Sequence, residues 1–375
     1  MVKAEIFFNS LVSNHIDFFS GVPDSLLKDM CAYITDNAPK NNHIIAANEG
    51  NAVSIAAGYH MGTGKIPMVY MQNSGMGNAV NPLLSLADEK VYNIPMLIVI
   101  GWRGEPGVKD EPQHLKQGEV TLQLLDAMQI PYKILSFNET EAVKQLEEVI
   151  QEIALKGKPH SLVIRKGTFE KYSIKEGVKS NFKMSRETAI RLLIEGFSGK
   201  EIIVSTTGKT SRELFEIREA LKQPHYFDFL TVGSMGHSSQ IALGIAIAQP
   251  SKMVVCIDGD GALIMHMGAL AINGAVLPKN YLHIVINNGA HESVGGQPTV
   301  GFNIDIPAIA RASGYKTAFS VFTEDELKDI FNSPSKLEYP ALIEINVKTG
   351  SRVDLGRPTI SPVENKVSFM KNLQS

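Results

Sequence analysis

Cysteine is scarce: Cys31 and Cys256 are the only two in 375 residues. Both lie in apolar contexts, which argues against a disulfide framework or a thiolate metal cluster. They read as buried core thiols, in keeping with a reducing, cytoplasmic setting. An excess of either charge is missing too, with 36 basic and 39 acidic residues and a net charge of −3. That balance leaves no electrostatic footprint for nucleic acid or an anionic membrane surface. Long apolar runs are absent from the N-terminus, where Asn9, Ser10, Ser13, Asn14 and His15 interrupt the hydrophobic residues. Neither a leader peptide nor a membrane span is expected. Short repeats and low-complexity tracts are lacking. The 44% hydrophobic and 20% charged residues are ordinary, and the length suits two domains better than one.

What is present is organised around the stretch from Gly259 to Asn288. Met253-Val254-Val255-Cys256-Ile257 is a short β-branched run that predicts a buried strand. Gly259-Asp260-Gly261-Ala262 follows, then a helix predicted over 262–274 and a strand over 281–286, ending in Asn287-Asn288. In a parallel sheet both strand ends open on the same edge. Gly259 and Gly261 let the backbone approach a phosphate as the helix begins at Ala262. Asp260 offers a hard carboxylate oxygen and Asn288 a neutral amide oxygen, a pair that suits Mg²⁺ beside phosphate oxygens. The plainer reading is a common Asp-Gly turn and a common Asn-Asn loop.

Strand and helix patterns alternate through the first half. Helices are predicted over 3–15, from Ser25, and over 52–61, 121–128 and 139–154. Strands are predicted over 17–20, 43–47, 66–71, 96–100, 132–135 and 161–164. Asp24 reads as a helix N-cap, yet it also lies at a strand edge where α/β sheets bind ligands. Glu49 ends a strand and faces a helix of small residues, which suits close packing against something flat. Asn73 and Ser74 belong to a loop whose glycines and small polar groups bring amides close to a ligand. The polar loop 101–114 carries Arg103, Lys109 and His114; a doubly anionic substrate needs such cations, while a lone His is more often structural.

A polar stretch over 171–184 reads as a linker between domains 1–170 and 185–375. Each domain is expected to be α/β, an open, doubly wound parallel sheet. Strands at 201–205, 317–321 and 341–347 and helices from 185, through Ala248, and over 304–313 and 324–331 continue the pattern. Thr206 to Ser211 looks like a phosphate loop, but the glycine required five residues before Gly208 is Ile203, which excludes a nucleoside-triphosphatase loop. Thr207 and Gly208 can still offer a hydroxyl and amides to a diphosphate. The glycine-rich loop 289–299 could close over a substrate, with His291 in reach. Arg352 and Arg357, in the tail, suit either surface salt bridges or an oxyanion clamp.

Gly-Asp-Gly followed by Asn-Asn, with Glu49 at an earlier strand end, resembles the signature of thiamine diphosphate enzymes. Through 21–27, 103–114, 206–213, 259–297 and 354–359 the chain is similar, along nearly its whole length, to the phosphonopyruvate decarboxylases. These belong to the thiamine diphosphate-dependent 2-keto acid decarboxylase family. The resemblance implies a pyrimidine-binding domain, then a diphosphate-binding domain, with no middle domain. It implies that Asp260, Asn288 and the backbone carbonyl of Ala290 hold Mg²⁺, which holds the diphosphate. Glu49 would hydrogen-bond N1′ of the aminopyrimidine and promote its 4′-imino tautomer. Met235, beside Ser234 in the loop 231–238, would support the bent cofactor, its plainer role being core packing.

The reaction so implied is the decarboxylation of 3-phosphonopyruvate to phosphonoacetaldehyde, in phosphonate biosynthesis of the 2-aminoethylphosphonate type. His114, Asp24 and His291 would move protons, and Arg103, Lys109, Arg352 or Arg357 would hold the phosphonate. Self-association into a homodimer or larger assembly follows, because in this superfamily the active site lies at a subunit interface. Sulfopyruvate or another 2-keto acid is the alternative substrate. A non-catalytic thiamine diphosphate or nucleotide-binding module is the alternative class, and Glu49 argues against it, since a mere binder needs no carboxyl group at N1′.

Overall fold

The computed structural model of the protein describes residues 1–332 and 337–374. The chain divides into two units. One is Met1–Gly177 with the short excursion Ser293–Gln297; the other is Val178–Glu292 with the chain from Pro298 onward.

The first unit is a parallel sheet of β1 (Phe19–Gly21), β2 (His43–Ile45), β3 (Met68–Gln72), β4 (Leu97–Gly101), β5 (Tyr132–Ile134) and β6 (His160–Ile164), in the order β2-β1-β3-β4-β6-β5. Side chains alternate between the faces of a strand, so a sheet covered on both sides needs apolar residues at every position. β3 shows this directly. Met68 and Tyr70 join one apolar cluster and Val69 and Met71 the other. The strand order reverses between β1 and β3, which makes the carboxyl ends of those strands the natural place for a ligand.

The second unit repeats the plan with β7 (Ile202–Ser205), β8 (Asp228–Leu230), β9 (Val254–Gly259), β10 (Tyr281–Asn287), β11 (Thr317–Val321) and β12 (Ala341–Asn346). All neighbours are parallel, in the order β11-β12-β10-β9-β7-β8, and the reversal falls between β7 and β9. In β9, Val255 and Ile257 face one cluster and Val254 and Cys256 the other. Cys31 and Cys256 are both free and buried.

Local chemistry sets the helix ends. Asn48 caps the helix Glu49–Thr63 by accepting from Asn51 N, and Gly64, at φ 74°, ends it in the left-handed conformation that glycine adopts without strain. Asn138 and Ser185 cap the helices Glu139–Lys156 and Arg186–Gly196 in the same manner.

Three local expectations need correction. The loop 101–114 is shorter than its polarity suggests, because Pro112, with its fixed φ, opens a helix running to Ala127. His114 therefore sits in that helix's first turn. The single helix expected over 262–274 is two, Asp260–Met265 and Ala269–Val276, broken at His266, whose φ of −134° is not helical. Asp24 does not cap the helix that follows. Its Oδ2 accepts from Leu26 N (2.9 Å) and Leu27 N (3.2 Å), closing a turn, and the helix Lys28–Asn37 starts after it.

The sequence patterns also missed β8 and the helix Pro362–Leu373. That helix opens with a capping box between Ser361 and Glu364. It closes off the edge strand: Asn365 Oδ1 accepts from Leu230 N (3.1 Å), and its Nδ2 donates to Asp228 O (2.9 Å).

Candidate functional site

In the first unit the carboxyl edge gathers the ends of β1 to β4. Asp24 follows β1, Glu49 follows β2, Asn73 and Ser74 follow β3, and Arg103 follows β4. Glu49 is the first residue of its helix and is buried. Asn78 Nδ2 donates to Glu49 Oε2 at 2.7 Å. Oε1 lies where a side chain at position 75 would be, since a Cβ on Gly75 would fall 2.1 Å from it. The carboxyl group is thus seated by a glycine and aimed by an amide.

Asp24 is fully buried against the end of β4, where a Cβ on Gly101 would fall 2.1 Å from its Oδ2. Oδ1 has no hydrogen-bond partner among the described residues. Burial pushes this carboxyl up to about 6, against the opposing pull of the Leu26 amide and the Arg103 charge. A buried acid whose proton affinity is raised toward neutrality can take up and pass on a proton more readily than an ordinary carboxyl group. His114 Nδ1 is likewise buried without a partner. Burial, helped by Arg103, holds His114 down to about 4, so the ring is neutral at pH 7.

Arg103 is less available than its sequence context suggests. Its guanidinium pairs with both oxygens of Asp110, and Nη1 donates to Ser25 Oγ at 2.7 Å. Asp110 also accepts from the amides of Gly104 and Glu111. Asn73 is buried and structural in its contacts. Its Nδ2 donates to Arg103 O and Thr121 Oγ1, and Oδ1 accepts from Arg103 N. Ser74 and Lys109 are exposed.

In the second unit, Thr207 and Gly208 follow β7, Ser234 and Met235 follow β8, Asp260 follows Gly259 at the end of β9, and Asn288, Ala290 and His291 follow β10. All emerge at one sheet edge. Gly208, at φ 93° and ψ −137°, takes a conformation open to glycine alone, and the helix Lys209–Ala220 starts directly after it. Ser234 also has a positive φ, 52°. The buried hydroxyls Thr206 Oγ1 and Ser238 Oγ have no partner among the described residues. Unsatisfied polar groups beside a helix start are what an anionic ligand would complete.

Asp260 is buried, and burial pushes it up to about 6, against hydrogen bonds from Thr299 and the Asn288 amide. Thr299 Oγ1 donates to its Oδ2. A Cβ on Gly301 would fall 2.6 Å from the same oxygen, so this glycine makes room for the carboxylate. Asn288 Oδ1 accepts from Ala290 N (3.1 Å). The Asp260 carboxylate, the Asn288 amide oxygen and the Ala290 carbonyl would offer a hard, all-oxygen donor set, whose chemistry fits Mg²⁺ rather than a soft metal. His291 packs against Gly261, where a Cβ would lie 3.0 Å from its ring, and burial holds it down to about 4.

Sequence reasoning overlooked a charged cluster beside Asn288. Arg186 pairs through Nε and Nη2 with both oxygens of Glu213, at 2.7 and 2.8 Å. Its Nη1 donates to Glu292 Oε2 at 2.7 Å. Lys209 Nζ (3.2 Å) and Gly350 N (3.0 Å) donate to Glu292 Oε1, and Asn288 Nδ2 donates to Oε2 at 3.0 Å. Burial raises Glu292, but the two cations outweigh it and hold the carboxyl below its ordinary range. The only sequence signal was a glutamate one helical turn past Asn288; nothing local marks Arg186 or Glu213. Arg352 is exposed and already bound to Glu187, Glu216 and Asp354. Arg357 is exposed as well.

Comparison with known proteins agrees with both units. Residues 1–130 match the N-terminal TPP binding domain of thiamine pyrophosphate enzymes, and residues 206–345 match the C-terminal TPP binding domain. A phosphonopyruvate decarboxylase of Streptomyces viridochromogenes is 31% identical over 97% of this chain and 93% of its own. A sulfopyruvate decarboxylase of Methanosarcina acetivorans is 28% identical over 96% of this chain and 94% of its own. Sulfopyruvate decarboxylase subunit beta of Methanocaldococcus jannaschii is 32% identical over 49% of this chain and 95% of its own.

Proposed function

The chain belongs to the thiamine pyrophosphate enzymes and is a decarboxylase of that family, and from this premise we propose that it converts 3-phosphonopyruvate to phosphonoacetaldehyde and CO₂, with Mg²⁺, in phosphonate biosynthesis. The observation that carries the reading is the 31% identity to a phosphonopyruvate decarboxylase over 97% of this chain, the segments bearing Glu49 and Asp260 included. We assign pyrimidine binding to 1–170 and diphosphate binding to 185–375, with 171–184 as the linker.

Bound thiamine diphosphate supplies an electron sink for the bond to the leaving carboxylate. Asp260, Asn288 and the Ala290 carbonyl would hold Mg²⁺. Thr207, Gly208, Ser234, Gly259, Gly261 and Ala262 would receive the diphosphate, and Met235 would brace the cofactor. Glu49 would hold a proton at N1′, with Asn78 fixing one carboxylate oxygen and Gly75 leaving space for the other. Asp24, whose proton affinity burial raises to about 6, and neutral His114 would handle the proton that replaces CO₂. Arg103 and Lys109 would face the phosphonate, Arg103 by exchanging part of its Asp110 pairing for the substrate. His291, Arg352, Arg357, Asn73 and Ser74 are weaker candidates for substrate contact.

A second reading, sulfopyruvate as substrate, has the Methanosarcina relative in its favour. The two separate on CO₂ release from phosphonopyruvate, sulfopyruvate and pyruvate in parallel, with Mg²⁺, with and without thiamine diphosphate. Cofactor-dependent release chiefly from phosphonopyruvate is expected. A preference for sulfopyruvate keeps the chemistry and changes the substrate; release from none of them overturns both.

A homodimer is the smallest active unit in this reading, and the cytosol its compartment, in keeping with two free thiols. Among the described residues no helix is long and apolar enough to cross a membrane.

A further inference from the structure

We infer that Glu292 is the positioning residue for the metal ligand Asn288, and that Arg186 and Lys209 hold Glu292 in place for it. The inference rests on the reading of Asp260 and Asn288 as Mg²⁺ ligands.

An asparagine can bind a cation only through its oxygen, and a free side-chain amide turns over as readily as not. At Asn288 the choice is made by the neighbours. Nδ2 donates to Glu292 Oε2, while Oδ1 accepts from Ala290 N. Turning the amide over would set its oxygen against a carboxylate and its NH₂ against an N–H, losing both bonds. The carboxylate therefore fixes which atom Asn288 can present to a cation. Glu292 is itself fixed. Arg186 and Lys209 hold it with one cation on each oxygen, and Gly350 N completes the set. Arg186 is in turn held by Glu213, itself buried. The charged groups packed about Glu292 are Arg186, Lys209 and, across Arg186, Glu213.

The same geometry rules Glu292 out as a mobile acid or base. Both oxygens are occupied, by four donors in all. Partners that orient a metal ligand typically matter about 10–100-fold to metal affinity.

The test uses the full-length protein with thiamine diphosphate and Mn²⁺ as a paramagnetic probe of the divalent site. Free Mn²⁺ is counted by electron paramagnetic resonance, and folding is monitored by circular dichroism. Glu292→Ala should weaken Mn²⁺ binding at least tenfold. Asn288→Asp should also weaken it, because two carboxylates then face one another. The double variant Asn288→Asp/Glu292→Gln exchanges donor and acceptor at constant net charge, so it should bind Mn²⁺ more tightly than either Asn288→Asp or Glu292→Gln alone. Native affinity in folded Glu292→Ala, or a double variant no better than the singles, overturns the inference. Failure of the native protein to bind Mn²⁺ with thiamine diphosphate would instead overturn the metal-site reading beneath it.

Discussion

Gly75 and Glu49 share one space. The Glu49 carboxyl group occupies the volume that a Cβ at position 75 would fill, 2.1 Å from Oε1. The backbone of Gly75 is ordinary, with φ −77° and ψ −12°, so alanine there carries no conformational penalty of its own. Gly75→Ala should therefore fold normally and displace Glu49. Misplacing a reacting group by about 1 Å can cost about 100-fold, so kcat should fall about 10–100-fold with an unchanged circular dichroism spectrum. Near-native turnover would show that Glu49 need not stand where it does.

Asp24 should make the first unit less stable as pH rises. Its native proton affinity, about 6, is above the ordinary 3.8, so between about pH 4 and 6 the folded state holds a proton that the unfolded state has released. Stability from this group is complete below about pH 4, declines through that window, and is level above it. The shift corresponds to an upper bound of about 3 kcal/mol. Asp24→Asn should lack the slope, so its advantage over the native chain should widen from pH 4 to about 6.5 and then stop. Trp102, the only tryptophan, is buried in this unit and gives the signal for urea titrations. Parallel curves for the two proteins would mean that Asp24 titrates normally.

Glu49 and Asp260 should fail in different ways. Glu49→Gln should still bind thiamine diphosphate with Mg²⁺ in calorimetry while losing at least about 100-fold in CO₂ release. Asp260→Asn should lose Mg²⁺-dependent cofactor binding itself. If each active site of a homodimer draws Glu49 from one copy and Asp260 from the other, co-expressing the two inactive variants in equal amounts restores about a quarter of native activity. An inactive mixture that demonstrably contains heterodimers would contradict that sharing.

Asn365 carries a structural prediction independent of any ligand. Asn365→Leu strips the partners from Leu230 N and Asp228 O, both buried. The cost should be about 1–3 kcal/mol per unsatisfied group. Hydrogen exchange at the Leu230 amide should accelerate accordingly, with little change in the first unit.

The fold was legible where periodicity is long-range and regular. β9 and β10, predominantly apolar runs between helical patterns, could be read as buried parallel strands without any partner in view. β8 could not, because Asp228-Phe229-Leu230 is three residues long and is stabilised by Asn365, far along the chain. At the site, residues whose chemistry is local were visible: Asp260 and Asn288 at strand ends, Gly208 at a helix start, Glu49 before a helix of small residues. The residues that hold them were not. Arg186, Glu213, Asn78 and Asp110 matter through what they touch, and a side chain's partner is a property of the folded chain. Charged type alone also misleads, since Arg103 and Arg352 look like free cations in the sequence and are each bound to carboxylates.

Parallel strands give the second unit a working margin and an idle one. The residues proposed here to hold metal and diphosphate follow the ends of β7 to β10, while the chain enters those strands through turns such as 198–200, exposed and held by Glu201. An anchor group or affinity handle grafted into that turn would sit at the idle margin. The enzyme could then be fixed to a solid support without its reactive margin being turned to the wall.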